Sequence, residues 1–364
     1  MGKLVKRAYK YRFYPTPEQA VLLNRTFGCV RLVYNRALDA RSRAWAVDRQ
    51  RTTYGQSSSW LTDWKRTDEL AFLNEVSSVP LQQTLRHLQA GFTAFWDKRA
   101  GFPRFKSKRK SRASAELTRS AFCWSDGRLT LAKMNTSLNI VWSRRLPEGA
   151  RPSTVTVSRD PAGRWFVSLL IEDPTVAPVP PVTPEVGVDA GITGLLTLSH
   201  PIPGLSDQRK LAMAQRNLAR KQKDSANRAK TRLTVARIHA RIADRRRDHL
   251  HKLTSRLVRE NRTVVIEDLS VRNMLRNRRL ARVISDAAWS QFRTMLEYKA
   301  QWYGREVIPV DRWYPSSKTC STCGRVNTIL ALNDRARTCP GCEVEHDRDI
   351  NAAKNILAAG LAER

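Results

Sequence analysis

Four cysteines near the end of the 364-residue chain have the spacing of metal ligands. Cys320 and Cys323 form one CxxC pair, and Cys339 and Cys342 form a second pair after fifteen intervening residues. Zinc prefers four soft ligands in a tetrahedron, and two such pairs supply them with little strain. The spacing predicts a zinc ribbon, with two disulfides or four unrelated core thiols as the alternatives. We interpret the nearby His346 as a bystander, because four cysteines already complete the coordination shell.

Acidic residues are few, yet several stand where a helix begins or an apolar strand ends. Asp347 and Asp349 precede an alanine-rich helical pattern over 351–359. A carboxylate at a helix start is usually an N-cap or a partner of the helix dipole, which explains one acid but not two. Asp189 ends the apolar segment VGVD, and Glu267 ends TVVIE. These positions predict that acids from separate elements meet at one site.

The candidate acids for that site are Asp189, Glu267 and Asp349, with Asp268 beside the second. Converging carboxylates repel one another, which raises their pKa values and destabilises the fold unless a cation is bound. Two Mg²⁺ ions about 3.5–4 Å apart can bind one phosphate, activate water and stabilise the leaving oxygen. Mg²⁺ also prefers carboxylates, waters and phosphate oxygens as ligands. The pattern therefore predicts a phosphodiester-cleaving site, with a cap or a surface group as the alternative for each acid taken singly.

The composition points to a polyanionic partner. Lysine and arginine number 65 against 33 acids, which gives a formal net charge of +32, and nucleic acid is the first candidate. No run of eighteen apolar residues is present, and the N-terminus lacks both a signal-peptide core and a myristoylation motif. Six cysteines, four of them in metal spacing, suit a reducing cytosol. Cys29 and Cys123 are expected to be buried thiols.

The N-terminal half predicts a strand followed by helices. Residues 4–14 alternate aromatic and basic side chains, which is typical of a strand with one basic face. Thr16, Pro17 and Gln19 have the pattern of a capping box at a helix start. A second helix is predicted from Pro80, and the polar segment 50–59 between the helices is predicted to be a loop.

The next segments are a basic loop and a β-rich region. Residues 101–112 combine two phenylalanines with lysines and arginines, which suits either nucleic-acid binding or a solvated charge run. The strands 153–158 and 164–171 flank a turn, and the proline-rich segment 173–184 reads as a linker. We expect the first strand to join these later strands, with the helical block inserted between them.

The C-terminal half alternates strands and helices. Residues 194–199 are predicted to pair with the strand that ends at Asp189. A long basic helical pattern over 208–259, with a bend near 224–227, is either a solvated pair of helices or a cationic wall for a nucleic-acid backbone. A helix over 283–303 and a strand over 305–310 precede the cysteines.

Several motifs together resemble a known family. They are YRFYPTPEQ (11–19), GFPRFKSK (101–108), GVDAGITGLLTLS (187–199), VVIEDLSVRNM (264–274), YPSSKTCSTCG (314–324) and DRDINAAKNI (347–356). In combination they are similar to TnpB, the transposon-encoded RNA-guided DNA endonucleases considered ancestral to type V CRISPR effectors. The likeness covers nearly the whole chain. Ala190 departs from the bulkier residue often found after the first aspartate, a change that we expect cleavage to tolerate.

The resemblance implies an α/β plus β fold in which an RNase H-like (RuvC) nuclease domain carries a zinc ribbon insertion. A β-barrel wedge domain, interrupted by a helical recognition domain, precedes the nuclease domain. The implied boundaries are 1–14 and 113–172 for the wedge, 15–112 for the recognition domain, 173–184 for the linker, 185–364 for the nuclease domain and 313–345 for the ribbon.

The resemblance also implies the roles of residues and partners. Asp189, Glu267 and Asp349 would be the catalytic residues and the Mg²⁺ ligands, with Asp347 the weaker candidate for the third place. Structural Zn²⁺ would occupy the four cysteines. The partners would be a guide RNA from the transposon end and double-stranded target DNA, bound by a monomer in the prokaryotic cytoplasm at the nucleoid. The alternatives are a non-cleaving RNA-guided regulator and a transposase or its accessory protein; no tyrosine–histidine nucleophile pattern supports the transposase.

Overall fold

The computed structural model describes residues 5–125, 127–174, 176, 180–189, 205–277, 281, 288–327 and 336–363. The chain divides into two compact units. One is Leu4–Thr175, and the other is Val176–Arg364 together with the first three residues. In the described part of the chain, no helix has both the length and the apolar character needed to cross a bilayer.

The N-terminal unit combines a sheet with a block of helices. Its elements are β1 (Val5–Tyr14), α1 (Pro17–Asp48), α2 (Tyr54–Trp64), a 3-10 helix (Asp68–Asn74), α3 (Ser78–Trp96), β2 (Ala113–Thr118), a 3-10 turn (Arg119–Ala121), β3 (Phe122–Ser125), β4 (Arg128–Leu131), β5 (Asn139–Val141), β6 (Thr154–Arg159) and β7 (Trp165–Asp173). Five strands form an antiparallel sheet in the order β2-β6-β7-β1-β5, and β3 pairs with β4.

Alternation along β1 explains how the sheet and the helices share a core. Tyr9, Tyr11 and Phe13 are buried on one face and pack in the same cluster as the apolar side chains of α1 and α3. The expected capping box is present at the start of α1, because the Thr16 side chain accepts from the Gln19 amide and the Gln19 side chain accepts from the Thr16 amide. The strand predicted over 4–14 pairs with β7, which comes after the helical block in the sequence.

Two expectations for this unit are wrong. The segment predicted as a loop over 50–59 contains the start of α2, which is capped by the same kind of box between Thr53 and Gln56. The cap stabilises a short helix whose apolar pattern is weak. Cys123 is exposed rather than buried, because β3 has only one covered face and Cys123 lies on the other. Cys29 is buried, as predicted.

The C-terminal unit is an α/β arrangement. Its elements are β8 (Thr183–Val188), α4 (Leu205–Ala219), α5 (Ala226–Glu260), β9 (Asn261–Glu267), α6 (Val271–Met274), α7 (Trp289–Tyr303), β10 (Glu306–Val310), β11 (Ala336–Thr338), β12 (Glu345–Asp347) and α8 (Arg348–Ala362). The strands β10-β9-β8 form a parallel sheet, and β11 pairs with β12.

Helices cover both faces of the parallel sheet. Val188, Val264 and Ile266 pack with α5 and α7 on one face. Val265 and Val310 pack with Ile356 of α8 on the other face. Burial on both sides explains why β9 reads as a continuous apolar run rather than an alternating one.

The sequence locates most of these elements but not all of their ends. The predicted bend falls between α4 and α5, where Asp224 adopts a left-handed conformation with φ 64°. The predicted linker 173–184 overlaps two strands, because Asp173 ends β7 and Thr183 begins β8. The strand predicted over 194–199 and the helix start predicted over 283–287 lie outside the described residues.

A buried lysine ties α7 to α5. Lys299 is only 4 % exposed, and its Nζ donates to the His251 carbonyl (2.7 Å), to Thr254 Oγ1 (2.7 Å) and to Ser255 Oγ (2.8 Å). We expect Lys299→Met to lower the free energy of unfolding by about 2–4 kcal/mol, because buried acceptors lose a charged donor. The matched control is Lys252→Met on the solvent side of α5, whose pair with Asp248 is exposed and contributes less than about 1 kcal/mol. Equal losses in denaturant titrations of the two variants would contradict this role.

Candidate metal centres

Two of the predicted acids lie at the carboxyl edge of the parallel sheet. Glu267 is the last residue of β9, and Asp189 directly follows β8. Gly187 pairs with Val265 in the register of these strands, and both face α8. Side chains two residues apart in an extended chain point to the same face. Asp189 is two residues after Gly187 and Glu267 is two residues after Val265, so both acids follow positions that α8 covers.

Helix α8 contacts this face of the sheet through two glycines. A Cβ at Gly187 would lie 2.2 Å from the Ala353 carbonyl oxygen and 2.9 Å from Leu357 Cβ. A Cβ at Gly360 would lie 2.3 Å from Val265 Cγ1. These distances leave no room for a side chain, so the helix backbone rests directly on the sheet. The contact fixes α8 relative to the two strands that carry acids.

The third acid is on the sheet-facing side of α8. Asp349 stands three residues before Ala352 and seven before Ile356, both of which are buried, and residues at this spacing lie on one helix face. The Asn355 amide donates to the Ser316 carbonyl (2.8 Å), and the Ser316 hydroxyl donates to Glu267 Oε1 (3.1 Å). This chain of contacts places the N-terminal half of α8 at the sheet edge that carries Glu267.

Asp347 and Asp349 have different surroundings. The Asp347 carboxylate caps α8, where its Oδ1 accepts from the amides of Asp349 (2.9 Å) and Ile350 (3.0 Å). Asp349 is half-buried in the first turn of the helix, on the side already described. The cap accounts for one of the two acids, as the sequence suggested, and leaves the Asp349 carboxylate without a capping role.

The acids are less tightly gathered than the cysteines. Within the described residues, Cys320, Cys323, Cys339 and Cys342 are the one group of potential ligands whose donor atoms are clustered tightly enough to hold a metal. Asp189, Glu267 and Asp349 share an edge of the sheet without forming such a group. They are supplied by three separate elements, since Asp189 follows β8, Glu267 ends β9 and Asp349 lies in the first turn of α8.

Asp268 is engaged by arginines. Its carboxylate pairs with Arg293 of α7 and with Arg312, which follows β10. Hydrogen bonds from Arg293, and then from Arg312, hold the pKa of Asp268 below its ordinary value. The Asp268 amide also donates to the Val310 carbonyl (3.1 Å). Asp268 therefore holds the 311–316 loop and α7 beside Glu267.

The four cysteine sulfurs fit a zinc ion. The Sγ atoms all lie within 4.8 Å of one another, and the distances Cys320–Cys342 and Cys323–Cys339 are both 3.7 Å. Zn–S bonds of about 2.3 Å give a tetrahedron with edges of about 3.8 Å. Gly324, with φ 73°, closes the first knuckle by donating to the Cys320 carbonyl. The donor set and its dimensions thus match structural zinc.

His346 is a contact that the sequence interpretation missed. It is 7 % exposed, and its Nε2 lies 3.1 Å from Cys320 Sγ. Burial opposes ionisation of Cys320, but the backbone amides of Cys323 and Thr322, together with His346, outweigh it and lower the pKa of that thiol to about 5. His346 is not one of the four clustered donors, as expected of a bystander to the metal site, but it does contact one of the cysteines.

Two asparagines join the cysteine knuckle to α8. The Asn351 amide donates to the Thr319 carbonyl (2.7 Å), while its Oδ1 accepts from the Ser321 amide (2.8 Å). The Asn355 amide also reaches the Thr319 carbonyl (2.7 Å). Both side chains are buried, so these hydrogen bonds fix the cysteine-bearing segment to the helix that carries Asp349.

The contact at Gly187 gives a direct test of this geometry. We expect Gly187→Ala to lower the phosphodiester cleavage that the sequence predicts for this site by about 100-fold or more and to destabilise the unit by about 1–3 kcal/mol, because the methyl group forces α8 away from the sheet. Gly28→Ala in α1 is the matched control, since a Cβ there meets nothing within 4 Å. The measurements are cleavage rate and thermal unfolding, and wild-type cleavage by Gly187→Ala would contradict the placement of Asp349.

Comparison with known proteins first defines the class of fold. The chain superimposes on a protein of the solved complex titled "Cryo-EM structure of the Cas12f1-sgRNA-target DNA complex", with a TM-score of 0.59 and 14 % identity over 97 % of this chain and 98 % of that one. A family model described as Cas12f1-like, TNB domain matches residues 289–356. The fold is thus similar to that of Cas12f1, with mixed helices and sheets.

Sequence relatives then identify the family. A protein of Streptomyces pristinaespiralis named "Putative RNA-guided DNA endonuclease" is 64 % identical over all of this chain and 91 % of its own length. The Escherichia coli (strain K12) protein InsQ, with the same description, is 35 % identical over 98 % of this chain and 92 % of its own. A model described as "Probable transposase" matches 166–278. The chain belongs to the TnpB family.

One further family model has a name that does not fit the structure. A model described as "Helix-turn-helix domain" matches residues 1–50. The described part of that range contains strand β1 and the single 32-residue helix α1. The two elements follow one another without a second helix in that part, so the name of the model does not describe its geometry here.

Proposed function

We propose that this protein is an RNA-guided DNA endonuclease that hydrolyses phosphodiester bonds with Mg²⁺ held by Asp189, Glu267 and Asp349. What supports the proposal is that Asp189 and Glu267 follow two neighbouring parallel strands at one edge of the sheet, and that α8, which carries Asp349, packs on the same face of those strands. Bound Mg²⁺ would draw the carboxylates together, activate water and stabilise the leaving oxygen. The named activity of relatives at 64 % and 35 % identity supports it.

The supporting elements have separate tasks in this proposal. The parallel sheet with its covering helices is the RNase H-like (RuvC) nuclease domain, 185–364. The zinc ribbon, 313–345, has Zn²⁺ on the four cysteines and is fastened to α8 by Asn351 and Asn355. The ribbon therefore stabilises the position of Asp349 as well as its own fold. The second strand of the ribbon, β12, extends two residues beyond this boundary and ends at Asp347, the residue that caps α8.

The N-terminal unit would provide the wedge and recognition domains. We assign 1–14 and 113–172 to the wedge and 15–112 to the recognition domain. Supporting this, β1 pairs with β7 across an intervening helical block. The net charge of +32 suits a chain that holds a guide RNA and target DNA, where phosphate contacts provide affinity and base pairing provides sequence specificity. We favour one protein chain per RNA.

A cleavage assay on the purified protein–RNA complex tests the function. The RNA that co-purifies is sequenced, and duplex DNA matched to its guide segment is incubated with the complex at low salt. We expect cleavage in Mg²⁺, none in EDTA and none of unmatched DNA. Tight binding of matched DNA without cleavage in Mg²⁺ would instead support a non-cleaving regulator and overturn the nuclease proposal.

A further inference from the structure

The loop that follows β10 is fastened to both acids at the end of β9. Arg312 pairs with the Asp268 carboxylate, and Ser316 donates to Glu267 Oε1 at 3.1 Å. Tyr314 packs against the cluster of Val265, Val310 and Ile356. Contacts at three alternate positions therefore hold the 311–316 loop in one conformation at the sheet edge.

Between these anchors, one aromatic side chain faces solvent. Trp313 is 84 % exposed, the largest value for a bulky apolar side chain among the described residues. The part of the chain that the structure describes places no aromatic ring or cation against its indole. The backbone beneath it forms a hydrogen-bonded turn, in which the Trp313 amide donates to Asp311 Oδ1 at 2.7 Å and the Tyr314 amide donates to the Asp311 carbonyl at 3.1 Å.

An exposed indole on an anchored loop beside the acids is available to a ligand bound at that edge of the sheet. A mobile loop could bury such a group by folding back, but the anchors on both sides prevent this. Trp313 is three residues beyond Val310, the last residue of β10, so the Cα atoms of Trp313 and Val310 lie no more than about 11 Å apart. Val310 in turn pairs with Glu267 at the end of β9. This spacing corresponds to a few nucleotides along a DNA strand.

We propose that Trp313 stacks on an unpaired nucleobase of the DNA strand whose phosphate is held at the acid site. The proposal rests on the proposed function, because a phosphate must be bound at Asp189, Glu267 and Asp349. Stacking on an indole suits any base, since every base has a π-face, and it requires an unpaired strand whose bases are free of their neighbours. Trp313 is thus a positioning residue that fixes which phosphate reaches the acids.

Cleavage by variants of the full protein–RNA complex is the first readout. We expect Trp313→Ala to cleave matched DNA about 10- to 100-fold more slowly. Trp313→Phe, which retains an aromatic face, should keep most of the rate, whereas Trp313→Leu, which retains bulk alone, should resemble Trp313→Ala. Val182→Ala is the control for loss of exposed apolar surface, because Val182 is 80 % exposed at the opposite end of the same sheet, and it should cleave at the wild-type rate.

A stacking signal separates this role from a structural one. DNA carrying 2-aminopurine at single positions around the cut is bound in Ca²⁺, which replaces Mg²⁺ to prevent cleavage. We expect fluorescence quenching at one or two positions in wild type and Trp313→Phe, and recovery of fluorescence in Trp313→Ala and Trp313→Leu.

Each outcome supports or overturns a defined claim. If Trp313→Ala cleaved at the wild-type rate and still quenched 2-aminopurine fluorescence, the stacking role would be overturned and the nuclease function would stand. Loss of RNA from the purified Trp313→Ala complex would overturn it too, by showing that the indole serves assembly. Absence of cleavage by the wild-type complex would instead count against the proposed function itself.

Discussion

Asp349→Asn should reduce DNA cleavage by about 1000-fold while the protein–RNA complex still binds matched DNA. A neutral amide is a much poorer ligand for Mg²⁺ than a carboxylate, and the metal contributes several kcal/mol to stabilising the transition state. Each 1.36 kcal/mol corresponds to tenfold in rate, so a loss of about 4 kcal/mol gives this factor. The measurement is single-turnover cleavage at saturating complex, with binding measured separately in Ca²⁺.

Asp347→Asn is the matched control, two residues away on the same segment. Asparagine caps a helix about as well as aspartate, so the amides of Asp349 and Ile350 keep their acceptor. We expect a rate within about threefold of wild type. If Asp347→Asn lost cleavage and Asp349→Asn kept it, the assignment of the third acid would have to be exchanged.

The second large effect concerns the cysteines. Cys339→Ser should abolish stoichiometric zinc and expose the 313–347 region to proteolysis, because structural zinc contributes about 10–16 kcal/mol of binding free energy in small zinc peptides. Cleavage should also fall strongly, since Thr319 and Ser321 of the cysteine segment are hydrogen-bonded to α8 through Asn351 and Asn355.

Metal analysis and limited proteolysis measure this effect. Cys123→Ser is the control, because Cys123 is an exposed cysteine of the N-terminal unit. It should retain one zinc per chain and wild-type resistance to protease. If Cys339→Ser retained zinc and resisted protease equally well, the four cysteines would not be a structural zinc site.

Features with a local physical cause could be predicted from the sequence. The capping box of α1 depends on residues three apart, and the cysteine knuckles depend on short fixed spacings. The placement of Asp189 and Glu267 follows from two apolar strands that each end in an acid, because parallel strands end at one edge. The capping box at Thr53 carried the same signal as that at Thr16, and it went unrecognised because the surrounding segment is polar.

Features that depend on contacts between distant segments could not be predicted in this way. Nothing local to Gly187 indicates that the Ala353 carbonyl lies against it. The contact of His346 with Cys320 depends on the pairing of β11 with β12, which returns the chain to the first knuckle. Likewise, the exposure of Trp313 depends on contacts of its neighbours Arg312 and Ser316. Their partners are Asp268 and Glu267, more than forty residues earlier in the chain.

Three acids, from two strands and a helix, are proposed to share a catalytic metal. The most direct measurement is anomalous diffraction from crystals of the protein–RNA–DNA complex grown with Mn²⁺ in place of Mg²⁺. We predict manganese peaks between Asp189, Glu267 and Asp349, beside a DNA phosphate, with the zinc peak at the four cysteines as an internal reference. A zinc peak together with bound DNA, but no manganese at the acids, would contradict the account.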